Sequence, residues 1–248
     1  MRIAVMSDIH GNCYALDALL ADLRQHPADQ LVCLGDAVQG GAQPAQTVAR
    51  LRELGCPVVM GNADAWLLTG VETSPNEIIT ERGRITREWS LAQLAPDDRA
   101  FIAAFAPTVE LALEGGRRLL CCHGSPTSFD DLIFPETPQE QVERLLGPFA
   151  PAIVCGGHTH IQYVRRFGAG MYFNPGSVGL VYERFQPGGY PKRFDAWAEY
   201  AVLSSEGDRL ALEFRRVPYD VAALRATILA SGHPYAAVLA EEYGGEKS

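Results

Sequence analysis

The chain opens on RIAVMS, an apolar run without alternation that stops abruptly at polar residues, which is the pattern of a strand buried on both faces. Asp8 follows at its C-terminal end. Over residues 14–23, Leu16, Leu19, Leu20 and Leu23 recur at three- and four-residue spacing and predict a helix packing back on that strand. The unit then repeats. LVCLG ends at Asp36, a Gly-rich turn follows, and Val48, Leu51 and Leu54 mark one face of a second helix closed by Gly55. PVVMG reads as a third strand that delivers Asn62, and residues 76–105 read as mostly helical, with Pro96 opening the first turn of a new helix.

Strand patterns resume in TVELALE, RLLCCHG, AIVCGGHTH, QYVRRF, MYFN, EYAVLS and RLALEFRRV, interrupted by a helix near residues 139–146. Strands interleaved with helices, followed by a run of strands and late helices, predict an α/β fold of two sheets packed face to face with helices outside. No linker and no internal repeat divides the chain, so a single domain over residues 1–248 is expected.

Composition narrows the function. At 47% hydrophobic and 21% charged the 248 residues can bury a substantial core. Lys and Arg total 21 against 30 Asp and Glu, and a net charge of −9 repels polyanions, which excludes nonspecific nucleic-acid binding. No apolar run approaches the roughly 18 residues that span a bilayer, and the polar turn after MRIAVM is unlike a signal peptide, so a cytoplasmic protein is expected. The six cysteines form no CxxC pair and read as small core residues in a reducing compartment.

Chemistry gathers where the strand-like runs end: Asp8 and His10 in SDIHGN, Asp36 in LGDAVQGG, Asn62 in MGNAD, His123 in CCHGSP, and His158 with His160 in GGHTH. Alternate residues leaving a strand share a face, so Asp8 with His10, and His158 with His160, can enter one pocket. Carboxylate oxygen, neutral imidazole and an Asn carbonyl suit borderline divalent ions of the first transition row. The glycines beside them allow the tight turns and close backbone approach of a crowded site.

In that order D-x-H, G-D, G-N-x-D, H-G and G-H-T-H resemble the calcineurin-like metallophosphoesterase family over residues 1 to about 180. DIHGN, HGSP and NPGSVG are similar to its small stand-alone prokaryotic-type phosphodiesterases. The resemblance implies a four-layer αββα sandwich of two mixed β-sheets flanked by helices, and two divalent transition-metal ions. Mn2+ is expected, with Fe, Zn, Ni or Co as other occupants. It assigns Asp8, His10 and His160 to one metal, Asn62, His123 and His158 to the other, and Asp36 to a bridge, with metal-bound hydroxide attacking a phosphate ester. Asn62 would also lie near the attacked phosphate.

The expected activity is a phosphodiesterase acting on a small phosphate ester, a nucleotide included. A phosphomonoesterase or phosphoprotein phosphatase shares the metal site, and a non-catalytic binding module shares the fold. Oligomeric state is not readable from the chain. Two departures from the family pattern bear on the choice. Ala63 stands where the family usually has a His that protonates the leaving group, an effect of roughly 10²–10⁴-fold. GDAVQGG, with Gln39 and Gly40, lacks the Arg with which the protein phosphatase branch grips phosphate.

Three further features stay open. Asp64 would orient that His in the family, and here caps the helix beginning near Trp66 with equal reason. Asn12 either hydrogen-bonds substrate or turns the backbone. Residues 182–197 form either a lid whose Arg184, Lys192 and Arg193 meet a phosphate, or a solvated loop, while residues 125–138 are expected to wall the substrate site. His26 and His233 read as surface or helix-end residues.

Overall fold

The computed structural model describes residues 1–71, 79–150, 152–182 and 193–243. The first β-α unit is β1 (Arg2–Met6) and α1 (Cys13–Gln25); the second is β2 (Gln30–Cys33) and α2 (Pro44–Leu54). Local chemistry sets these ends. The Asn12 side chain caps α1 by accepting from the Ala15 N–H at 3.1 Å, Pro44 opens α2, and Gly55 closes it in the left-handed region at φ 57°. Three helices follow, α3 (Asn62–Thr69), α4 (Glu81–Ala92) and α5 (Pro96–Ala103). Next come β3 (Val109–Ala112), β4 (Arg118–Cys121), α6 (Gln139–Leu146), β5 (Ile153–Cys155), β6 (Gln162–Phe167) and β7 (Gly170–Pro175). The described chain closes with β8 (Trp197–Glu206), β9 (Arg209–Pro218), α7 (Val221–Ala230) and α8 (Ala236–Glu242).

The strands form two mixed sheets, ordered β2-β1-β8-β9 and β3-β4-β5-β7-β6. β1 runs parallel to β2 and antiparallel to β8, and β4 and β5 run parallel. Alternation along β1 builds two layers of core at once. Ile3 and Val5 face inward with Val32, Ala201 and Leu203, meeting Leu119, Cys121, Ile153, Cys155 and Phe173 of the other sheet. Met6 faces outward and packs with Leu16 and Leu19 of α1, Val48 and Leu51 of α2, and Leu67 of α3. Beyond the second sheet, Val142 and Leu146 of α6 cover Val154, Tyr163, Phe167 and Tyr172. Helices, sheet, sheet and helix therefore stack in the four layers expected.

Two expectations need correction. PVVMG is not a strand of either sheet: Val58 bridges Cys33 and Val59 bridges Ala106. The segment has one partner residue on each side, and Pro57 removes a donor at its start. His233 does lie at a helix end, in the turn between α7 and α8, but not at the surface: it is 5% exposed, with its ring 4.8 Å from that of Trp89, edge to face. His26 does end α1, half-exposed. All six cysteines are free, five of them buried. Among the described residues no helix is long and apolar enough to cross a membrane.

Candidate metal centre

The C-terminal ends of β1, β2, β4 and β5 open toward one side of the sandwich, and each is followed by residues of the motif series. To turn their side chains inward directly after a strand, five residues adopt left-handed backbone: Asp8 (φ 57°), His10 (47°), Asp36 (49°), His158 (65°) and His160 (56°). Among the described residues these are the non-glycine positions with positive φ. Such conformations cost about 1–3 kcal/mol each and persist where surrounding structure over-determines them, typically at functional sites.

Together with His123 they converge into two clusters, Asp8–His10–His160 and Asp36–His123–His158, in each of which the potential ligand atoms lie within 4.8 Å of one another. In the first, His10 Nδ1 faces the Gln39 carbonyl at 2.7 Å and His160 Nδ1 the Leu180 carbonyl at 2.9 Å. Each Nδ1 donates, so each Nε2 is left with a lone pair. These two lone pairs point at each other across 3.3 Å, with Asp8 Oδ1 3.1 Å from His160 Nε2 and otherwise without a hydrogen-bond partner. With both imidazoles neutral, these three buried electron-rich atoms repel unless a proton or a metal ion stands among them, and the donor set fits a divalent ion.

The second cluster repeats the logic. His123 Nδ1 donates to the Leu34 carbonyl at 2.8 Å, turning Nε2 toward Asn62 Oδ1 at 2.9 Å and Asp36 Oδ2 at 3.4 Å. Asp36 Oδ1 accepts from the Ala63 N–H at 2.8 Å, which aims Oδ2 at the gap between the clusters, 3.8 Å from His10 Nε2. Asp8 is oriented likewise: the His158 N–H holds its Oδ2 at 3.1 Å and leaves Oδ1 to the first cluster. Burial disfavours ionised Asp36, but His123, His10 and His158 outweigh it and hold the carboxylate well below its ordinary range. Burial also pulls His123 down, yet Asp36 and Asp8 lift it to about 10; His158, with burial and His123 acting together, falls to about 4. Asp36 is thus held ionised and favours a positive charge beside it at His123.

The supports come from distant parts of the chain. Asp64 does not cap α3. Its carboxylate, fully buried, accepts from the Ala37 and Val38 N–H groups at 3.0 and 3.1 Å and fixes the loop that follows Asp36. Burial, then the charge of Asp36, raises its pKa to about 7, against those two N–H groups. Asn12 is 1% exposed and committed within the protein, capping α1 and donating to the Gly179 carbonyl at 3.3 Å. A substrate contact from it is not supported. Gly61 is required by close approach, since a Cβ there would lie 2.1 Å from Asp36 Oδ1.

Residues 125–138 fold back on themselves after His123: Ser125 donates to Asp131 at 2.6 Å and Arg165 to the Thr137 carbonyl at 2.8 Å. Arg184 and Lys192 lie outside the described residues. Arg193 is half-buried beside Phe194, whose backbone bridges Tyr182, and the Tyr182 ring lies 5.6 Å from that of His160. The motif reading passed over Ser177, which accepts from the Leu180 N–H and donates to the Asp8 carbonyl, both near 2.9 Å. NPGSVG was its signal.

Comparison with known proteins agrees with this geometry. Residues 1–195 match the calcineurin-like phosphoesterase superfamily domain. An uncharacterised protein of Methanocaldococcus jannaschii is 26% identical over 226 residues, spanning 88% of each chain. Phosphodiesterase YfcE of Escherichia coli is 26% identical over 206 residues, 83% of this chain and 89% of its own. A hypothetical protein from Pyrococcus horikoshii has the same fold at a TM-score of 0.80 and 20% identity, over 100% of this chain and 99% of that one. A metallophosphoesterase from Sphaerobacter thermophilus matches at 0.72 and 23%, over 96% and 97%.

Proposed function

The chain belongs to the calcineurin-like phosphoesterase superfamily, and from that premise we propose that it hydrolyses a small phosphodiester at a pair of divalent metal ions. Asp8, His10 and His160 would hold one ion, Asn62, His123 and His158 the other, and Asp36 both. The observation carrying this reading is Asp36 Oδ2, which lies within 3.8 Å of ligand nitrogens from each cluster. Two such ions supply positive charge that grips phosphate oxygens and makes water acidic enough to attack near neutral pH.

The protein's own part is to fix that geometry. Main-chain carbonyls accept from Nδ1 of three imidazoles and so turn their Nε2 atoms toward the clusters, where they would serve as ligands. The Ala63 N–H keeps Asp36 from rotating, and Asp64 fixes the loop between Asp36 and Gln39, whose carbonyl in turn holds His10. The net charge of −9 disfavours large polyanionic substrates, which supports a small ester. The diester preference draws on the likeness to YfcE. A nucleotide ester fits the same class, and Mn2+ suits the mixed nitrogen and oxygen ligands.

The test is hydrolysis of bis-nitrophenyl phosphate and of nitrophenyl phosphate by chelator-treated protein, with and without Mn2+. Metal-dependent turnover with the diester preferred supports the proposal. Preference for the monoester shifts it to a phosphomonoesterase, and metal binding without turnover to a binding module.

A further inference from the structure

Gly179 and Leu180 touch two of the three residues of the first cluster. The Gly179 N–H donates to the Asp8 carbonyl at 3.0 Å, and the next carbonyl, that of Leu180, receives His160 Nδ1 at 2.9 Å. Gly179 has to be glycine, because a Cβ there would lie 1.9 Å from the Ile9 carbonyl oxygen. The Gly179 carbonyl shares its peptide with the Leu180 N–H, which the Ser177 hydroxyl holds at 2.9 Å, so the orientation of this peptide sets where the Leu180 carbonyl that follows it meets His160. Ser177 fixes the N–H end of that peptide, and its carbonyl end, on Gly179, is fixed from elsewhere.

That anchor comes from the far end of the chain. The Tyr243 hydroxyl donates to the Gly179 carbonyl at 3.0 Å, beside the weaker 3.3 Å contact from Asn12. Tyr243 directly follows α8, is 1% exposed, and stands outside the segment that matches the superfamily. Its own position is secured three ways. Its ring packs 5.0 Å from that of Phe194; the Phe194 N–H donates to the Glu242 carbonyl at 2.7 Å; and the Glu242 carboxylate takes both guanidinium nitrogens of Arg82 at 2.8 Å. α4 and α8 are thus clasped behind the loop that carries the acceptor for His160.

We propose that Tyr243 is a positioning residue for the Asp8–His10–His160 cluster: its hydroxyl pins the Gly179 carbonyl, so that the Leu180 carbonyl holds His160 with Nε2 toward Asp8. The inference rests on the metal-centre reading above. Loss of a group bonded directly to a ligand imidazole costs typically 10–100-fold in metal affinity. Tyr243 acts one peptide further away, so removing its hydroxyl alone should cost about threefold to tenfold at this position.

The experiment titrates metal-free wild-type protein, Tyr243→Phe and His160→Gln with Co2+, followed by visible absorbance under chelator competition, together with the melting temperature of each metal-free protein. Tyr243→Phe keeps the packed ring. The expected result is that the binding step lost in His160→Gln is the one weakened about threefold to tenfold in Tyr243→Phe, while the other step stays unchanged and the melting temperature falls by only the roughly 2–4 °C of one lost hydrogen bond. Unchanged affinity at both steps overturns the role of Tyr243, and so does an equal weakening of both with a larger fall in melting temperature, which marks a general packing role. Failure of the wild-type protein to take up two Co2+ ions overturns the metal-centre reading itself and this inference with it.

Discussion

Asp36 joins the two clusters through one oxygen, while its other oxygen is held by the Ala63 N–H. Asp36→Ala should reduce Mn2+-dependent hydrolysis of bis-nitrophenyl phosphate to background, and retained turnover would contradict the assignment. Asp64 predicts differently because its carboxylate is bonded to the Ala37 and Val38 N–H groups rather than placed among the candidate ligands. Asp64→Ala strands two buried donors and should lower unfolding stability by about 2–4 kcal/mol, measured by denaturant titration. The candidate ligands were legible in the sequence because each stands within a few residues of a strand-like run. The role of Asp64 was not, since two N–H groups 26 and 27 residues away define it. Tyr243 reaches Gly179 across 64 residues and left no local pattern at all.

The elements that carry the site are strand ends and the tight turns after them. Hydrophobic runs and three- to four-residue spacing revealed β1, β2, α1 and α2, where one buried face dominates the local sequence. PVVMG has the same composition as a strand but finds only single-residue partners in Cys33 and Ala106, a tertiary outcome that composition does not encode. Its continuation, Gly61, is nonetheless critical. Gly61→Ala would drive a methyl group to within 2.2 Å of the Asp36 backbone nitrogen unless the turn moves. The expected outcome is a loss of about 1–3 kcal/mol in stability and weaker Co2+ uptake, checked by unfolding and by titration. Wild-type values for both would mean that the turn is looser than its geometry indicates.

At the scale of the molecule, two sheets and their outer helices bring residues 8 to 160 into one site. β8, beyond the superfamily match, supplies the antiparallel neighbour of β1. It also carries Glu199, 1% exposed and 2.7 Å from Arg216 Nε. Burial, only partly offset by Arg216, raises Glu199 from 4.5 to about 7. The folded protein thus holds this proton more tightly than the unfolded chain, so the penalty is absent below the unfolded pKa and grows as pH rises through the folded one. Glu199→Gln should therefore melt higher relative to wild type at about pH 8 than at about pH 5. Equal differences at both would show that Arg216 fully compensates the charge.

The measurement that bears most directly on the central claim is the metal content of protein purified without chelator, taken together with its hydrolysis of bis-nitrophenyl phosphate before and after metal removal. The account predicts close to two transition-metal ions per chain, activity lost on chelation, and activity regained with Mn2+. A chain that binds no metal, or that hydrolyses the diester equally well without it, would contradict the claim that these two clusters form a phosphoesterase centre.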